Sequence, residues 1–268
     1  MLQDKFKEIL RTPFLWKGNL NGLKQFEIEN PVFKIYPEHS HPKNLRLGKQ
    51  IESFVEFQLE NVPNLNLLQS NLQIINNKRT HGEMDFLFTF NNEPIHLEVV
   101  YKFYLYNPLI GSSELDHWIG PNNKDCLVYK LEKLKNKQLP LLFKSETQPY
   151  LKALNLSAHT FQQRVYFKAQ LFIPYQSTKT EYKYINEACI QGFYITIDQL
   201  HDFTQYHFFL PRKHDWISPI SLDIEWLDYS AFYAQIEWCK QNKQAPLCWL
   251  KSPEGKLSKC FVYFEKEF

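Results

Sequence analysis

At 268 residues, with 44% hydrophobic, 22% charged and 16% aromatic side chains, the chain has the make-up of a globular protein with a sizeable core. A net charge of only +2 excludes a chain-wide polycation, so any nucleic-acid partner has to be held by a local patch. Five scattered cysteines without C-x-x-C spacing argue against a disulfide framework or zinc ribbon, and no run approaches the roughly 20 apolar residues of a membrane span, so a cytoplasmic protein with no membrane partner is expected.

In chain order, residues 3 to 10 read as a short helix with Phe6, Ile9 and Leu10 as its apolar stripe, stopped by Pro13. The remainder of residues 1–46, with Trp16, Pro31, Pro37 and Pro42, reads as an irregular N-terminal arm packed on the core. Leu47 to Leu59 is the first substantial helix: Ile51, Phe54, Val55 and Leu59 line its buried side, and Glu52 and Glu56 share another face. Leu72 to Lys78 suits a short strand. The basic run Lys78-Arg79-Thr80-His81 then serves either a phosphate or an exposed turn.

His81 to Tyr106 is the stretch where acids and a lysine recur with strand spacing. With period two, Glu83, Asp85 and Leu87 share one face of a first strand, and Met84, Phe86, Phe88 and Phe90 the other. Asn91-Asn92 has the chemistry of a tight turn. On the second strand Ile95, Leu97, Val99 and Tyr101 alternate with His96, Glu98, Val100 and Lys102. In the obvious register Asp85 and Glu98 project toward one another, and Lys102 lies on Glu98's face. Two converging carboxylates near an ammonium call for a divalent cation; the same pattern also describes the solvent face of an ordinary hairpin.

Asn107 to Gly120 reads as a long loop, after which Pro121-Asn122 opens a helix through Leu139, capped by Asn122 or Asn123. Leu127, Leu131 and Leu134 face its core side. Lys130, Lys133 and Lys137 form a second stripe, either a solvated face or the seat of a nucleic-acid backbone. A helical piece near Pro149 to Leu156 precedes a dense strand, Val165 to Tyr175. The last third reads as strands near Cys189–Thr196 and Tyr206–Leu210, a helix from Asp228 to about Lys240, and strands Leu247–Lys251 and Leu257–Phe264 joined by the Pro253-Glu-Gly255 turn. Between them Arg212 and Trp216 suit a phosphate and a stacked base, or a surface loop anchored by a buried Trp.

The segment Gly82-Glu83-Met84-Asp85, followed by Glu98-Val99-Val100, resembles the core of the PD-(D/E)xK phosphodiesterase superfamily, with Val100 where the motif's lysine is usual and Lys102 two residues on with the same parity. More closely, Gly82 to Asp85, Glu98 to Leu105 and Gly120-Pro121-Asn122 with its lysine-rich sequel resemble a bacterial family, the domain of unknown function numbered 1853. The resemblance implies an α/β fold: a restriction-endonuclease-like mixed sheet flanked by helices over residues 47–175, with residues 176–268 as an α+β elaboration packed on that core. It implies a metal-dependent nuclease acting on DNA or RNA: Asp85, Glu98 and the Val99 carbonyl hold Mg²⁺ or Mn²⁺, Lys102 serves the attacking water, and Glu52 completes the outer shell with Glu83 in reserve. Lys130, Lys133, Lys137 and Arg212 are the expected nucleic-acid contacts. The alternative is a non-catalytic descendant binding nucleic acid or a protein, whose expected sign is a plain Asp85–Lys102 ion pair.

Overall fold

Alternating apolar residues and two Asn-containing reversals set up the first part of the main sheet. The structure is a computed structural model that describes residues 2–28, 36, 45–178 and 181–265. Pro31, Pro37 and Pro42 of the expected arm lie outside the described residues. Helix α1 is Leu2–Arg11; β1 (Asn19–Leu20) and β2 (Leu23–Lys24) form a small hairpin. Helix α2, Leu47–Glu60, buries Ile51, Phe54, Val55 and Leu59, each worth about 1.5–3 kcal/mol of burial. Three long antiparallel strands follow: β3 (Leu65–Asn76), β4 (Arg79–Phe90) and β5 (Glu93–Tyr106). Asn77-Lys78 and Asn91-Asn92, all with positive φ, make the two-residue turns between them.

Strand β6 (Trp118–Ile119) pairs with the end of β5. Helix α3 (Leu127–Lys133) runs into a π-helical turn, Leu134–Gln138, then a 3-10 segment, Leu139–Phe143, and α4 (Gln148–Ala153). Strand β7, Gln162–Pro174, returns parallel to β5. The last third supplies β8 (Ile190–Thr196), β9 (His207–Phe209), α5 (Tyr229–Gln241), β10 (Leu247–Lys251) and β11 (Leu257–Tyr263). These strands continue the same nine-stranded sheet, in the order β3-β4-β5-β7-β8-β11-β10-β9, with β6 beside β5. The fold is therefore mixed α/β, with helices on both faces.

One face is covered by α1 and α2, whose Phe6, Ile51 and Phe54 pack with Phe86, Phe88 and Leu97. The other is covered by α3 and the π-helical turn after it, with Leu127, Leu131 and Leu134 against Val100, Tyr104 and Phe167, and by α5 farther along, with Phe232 and Ile236 against Leu250 and Val262. The arm closes the open edge of β7's first half, which β8 joins only from Leu171 onward. Leu15 N donates to Phe167 O (2.9 Å), Phe26 N to Val165 O (2.9 Å), and Phe167 N to Gln25 Oε1 (3.0 Å).

Two expected boundaries shift. The strand before the hairpin begins at Leu65 rather than Leu72, because it is an edge strand: of its residues only Ile74 is buried, so its first half carries no apolar alternation. The helix after the long loop begins at Leu127 rather than Pro121, with Cys126 at its cap and Asn123 in the left-handed region. The expected caps are used elsewhere: Asn122 Oδ1 accepts from Ala245 N (2.8 Å) and Asn123 Oδ1 from Tyr263 Oη (2.9 Å), tying this loop to the last third of the chain.

Candidate active site

β4 and β5 pair from Phe90↔Glu93 to Phe86↔Leu97 and then separate. The next opposed residues are Asp85 and Glu98, both buried, at the mouth of the gap. Asp85 Oδ2 accepts from Val99 N (2.8 Å), so its carboxylate closes the place where the next ladder bond would lie. The N–H and C=O of one strand residue point to the same side, which puts the Val99 carbonyl on this gap as well. Period two breaks here. Met84 and Leu87 pack with Leu141 and Leu142, whereas Phe86 and Phe88 pack with α2, so Met84 does not share a face with Phe86 as strict alternation predicts. The break lets Asp85 aim along the sheet between its two covering layers. Gly82 belongs to the same adjustment: a Cβ there would lie 2.7 Å from Leu141 Cδ2, so any other residue makes that leucine side chain shift where the 3-10 segment settles on β4.

Glu98 is held at both oxygens. His96 Nε2 lies 3.1 Å from its Oε1, and Gln138 Nε2 donates to its Oε2. Gln163 Nε2 lies 3.2 Å from His96 Nδ1 and donates to Leu139 O (2.5 Å). Gln163 has hydrogens to give, so Nδ1 is the acceptor and His96 presents its Nε2–H to Glu98. Burial drives the His96 pKa down to about 4, keeping the ring neutral. Gln138 Oε1 in turn accepts from Lys130 Nζ (2.8 Å), and the π-helical turn between the two is what brings Gln138 under the gap.

The electrostatics follow from burial. Asp85 is pushed up to about 8, first by desolvation and then by Glu98's charge. Glu98 is pushed up to about 7 by desolvation, against the pull of Lys130 and Gln138. Lys130 is driven down to about 8 by desolvation and by Lys102 and Lys133 beside it, while Glu98 and Asp85 work the other way. From α2, Glu52 joins with Glu83 and Asp85: one carboxylate oxygen of each lies within 4.8 Å of the others. Lys49 bridges Glu52 (2.6 Å) and Glu83, and also donates to Asn71 Oδ1 (2.7 Å).

The structure thus gathers Asp85, Glu98, Val99, Glu52 and Glu83 at one place. Lys102 goes elsewhere: its ammonium bonds Asp125, and the ion pair with Asp85 expected of a relic does not occur among the described residues. Val100 packs among Tyr104, Leu127 and Leu131, so β5 offers no lysine at that position. Lys130 takes the place beside the acids, while Lys133 and Lys137 are exposed. Arg212 is exposed on a distant loop, and Trp216 is buried against Phe103 and Phe261, which removes it as a stacking platform and leaves the buried-anchor reading. His96, Gln138, Gln163 and Lys49 were not singled out from sequence. His96's parity with Glu98 was the one visible signal.

Fold and site define a mixed α/β protein with a buried carboxylate pair where two strands part, overlooked by a desolvated lysine. The chain belongs to the family described as "Domain of unknown function (DUF1853)", which matches residues 13–264. No curated protein and no solved structure matches it. Among the described residues no helix is long and apolar enough to cross a membrane.

Proposed function

We propose that the chain is a divalent-metal-dependent phosphodiesterase acting on nucleic acid. The observation that carries this reading is the meeting of Asp85 and Glu98, buried and with raised pKa values, with Lys130 as the nearby charge that favours their ionised forms. Their direct hydrogen-bond donors are neutral: Val99 N, His96 and Gln138. Two buried carboxylates so arranged fit a hard cation with oxygen ligands. Asp85, Glu98 and the Val99 carbonyl would hold Mg²⁺ or Mn²⁺, with Glu52 behind them. Such an ion lowers the pKa of a bound water and neutralises charge on a phosphate. The order helix, three antiparallel strands, helix, parallel strand from α2 to β7 is that of the PD-(D/E)xK core named above, and supports the same reading.

Within it, Lys130 takes the role expected of Lys102. Its lowered pKa of about 8 lets it give up and recover a proton near neutrality, and in its charged form it faces anionic oxygen. Gln138, bonded to both Lys130 and Glu98, fixes the distance between them. His96 and Gln163 hold Glu98's orientation.

The test is cleavage of labelled single-stranded, duplex and branched substrates with Mg²⁺ or Mn²⁺ by wild type, Asp85→Asn, Lys130→Met and Lys102→Met. The reading requires metal-dependent cleavage that Asp85→Asn and Lys130→Met abolish. Cleavage that persists in both variants, or a wild type inert on every substrate, overturns it. Nucleic-acid binding by an inert wild type would favour the non-catalytic alternative, for which Val100 in the core and Lys49 across Glu52 and Glu83 are the supporting features.

A further inference from the structure

At the end of the sheet where β5 and β11 finish, three loops meet: 120–124, 210–216 and 242–246. They enclose a cavity of about 820 Å³ lined by Lys124, Arg212, Lys213, Lys243 and Trp238. An adjoining cavity of about 580 Å³ shares Lys124 and Lys243 and adds Lys240. All five cations are exposed, and none has an ion-pair partner among the described residues. Acids near them are few: Glu265 lines the adjoining cavity, and Asp215 is bound to Lys5 (2.6 Å) and His214 (3.2 Å). Trp238 stands 56% exposed on α5, and a third cavity that shares Lys124 carries Tyr129, 69% exposed, together with the acids Asp116, Asp125 and Glu265.

Lysines on a solvated face would be scattered and interleaved with acids. Here they line two adjoining concavities beside an exposed indole. A chain of contacts leads inward: Lys124 adjoins Asp125, which holds Lys102, and the charge of Lys102 bears on Lys130 beside the carboxylate pair. Along β5 the distance from Glu98 to Tyr106 at this end of the sheet is eight residues, about 26 Å.

We propose that this groove binds single-stranded nucleic acid, with phosphates on Lys124, Arg212, Lys213, Lys240 and Lys243 and one base stacked on Trp238. A single strand is favoured over a duplex because an exposed ring needs an unstacked base face, and a concave pocket admits a splayed nucleotide. The groove's direction toward Asp85 and Glu98 rests on the phosphodiesterase reading; its binding of a strand does not.

The experiment is fluorescence anisotropy of labelled oligo-dT, oligo-U and a duplex of the same length, titrated at several salt concentrations. The proteins are wild type, Trp238→Ala, the triple variant Lys213→Gln/Lys240→Gln/Lys243→Gln, and Asp85→Asn. All the substituted groove residues are exposed, and circular dichroism confirms the fold. Trp238→Ala should weaken single-strand binding roughly tenfold with the salt slope unchanged. The triple variant should flatten that slope by about 0.7 per lost contact, about 2 in total. Unchanged affinity and slope in both variants, tighter wild-type binding to the duplex, or displacement by polyglutamate as effective as by oligonucleotide would each overturn the proposal. Asp85→Asn separates the two readings. If it abolishes cleavage while the groove variants bind like wild type, the groove falls and the phosphodiesterase stands. If the groove variants lose binding and wild type never cleaves, the groove stands alone.

Discussion

Replacing Asp85 by Asn should stabilise the metal-free protein, and by an amount that grows with pH. Asp85's pKa in the folded chain, about 8, lies above its ordinary value of 3.8, so its stabilising contribution is full below 3.8 and is lost as pH rises toward 8. Each pH unit in that window costs about 1.4 kcal/mol. Asparagine keeps an oxygen to accept from Val99 N and carries no proton to lose. The variant's advantage over wild type should therefore widen by about 3 kcal/mol between pH 5 and pH 7. For a chain of this size that is a melting-temperature gap growing by roughly 6–10 °C. Taking the difference between variant and wild type removes the parallel effect of Lys168, which titrates in both proteins, and leaves Asp85 together with the response of its neighbours Glu98 and His96. Thermal melts of both proteins at several pH values, with a chelator present, measure it directly. A saturating divalent cation should then rescue wild type alone, by about 2.7 kcal/mol at a hundredfold excess over its dissociation constant. A gap that stays flat with pH would refute the argument, since it would mean that Asp85 is solvated or already compensated in the folded chain.

Lys130→Met should move the acid limb of metal binding to higher pH by about one unit, because the charge that favours ionised Glu98 is gone. Lys102→Met should leave that limb in place and cost less than about 1 kcal/mol, since its ion pair with Asp125 is more than one-third exposed; metal titrations of each variant at several pH values separate the two lysines. Gly82→Val should lower stability by about 1–3 kcal/mol in a denaturant melt, because the added side chain must displace buried Leu141; an unchanged midpoint would show that the 3-10 segment yields freely. Gln163→Leu frees His96 to change tautomer, so the ring-nitrogen NMR shifts of His96 should change; a ring that keeps its Nε2–H would put Glu98 alone in charge of it.

Local chemistry that stayed local was readable in advance. Asn91-Asn92 makes the hairpin turn, and Asp228 caps α5 by accepting from Ala231 N (2.8 Å). Strands β10 and β11 lie where their apolar runs placed them. Asp85 and Glu98 emerged from strand parity and the register of a two-residue turn, both short-range rules. The misses are tertiary. Asn122 and Asn123 have good capping chemistry, but partners about 120–140 residues away, Ala245 and Tyr263, outbid the helix end. Lys130 looked like one member of a surface stripe because a straight helix would keep it in line with Lys133 and Lys137. The π-helical turn after Lys133 and the burial of α3 against β5 set it apart from them, and no spacing rule signals either. Gln163 and His96 are 67 residues apart in the chain, and only the parallel pairing of β5 with β7 makes them neighbours.

The pairing of the arm with β7 also orders events during synthesis. Gln25 and Phe167, which bond each other, are separated by 142 residues, so at ribosomal speeds of about 5–20 residues per second the arm waits on the order of ten seconds for its edge to exist. For that interval Phe6, Ile9, Leu15, Trp16 and Phe26, all buried in the finished protein, have no β7 to lie on. Contacts of such long range make folding slow, and an unpaired inner strand is an invitation to other chains. The segment that completes β7's edge is thus made well before β7 and placed only after it, and its aromatic residues are ones a chaperone would meet on the nascent chain.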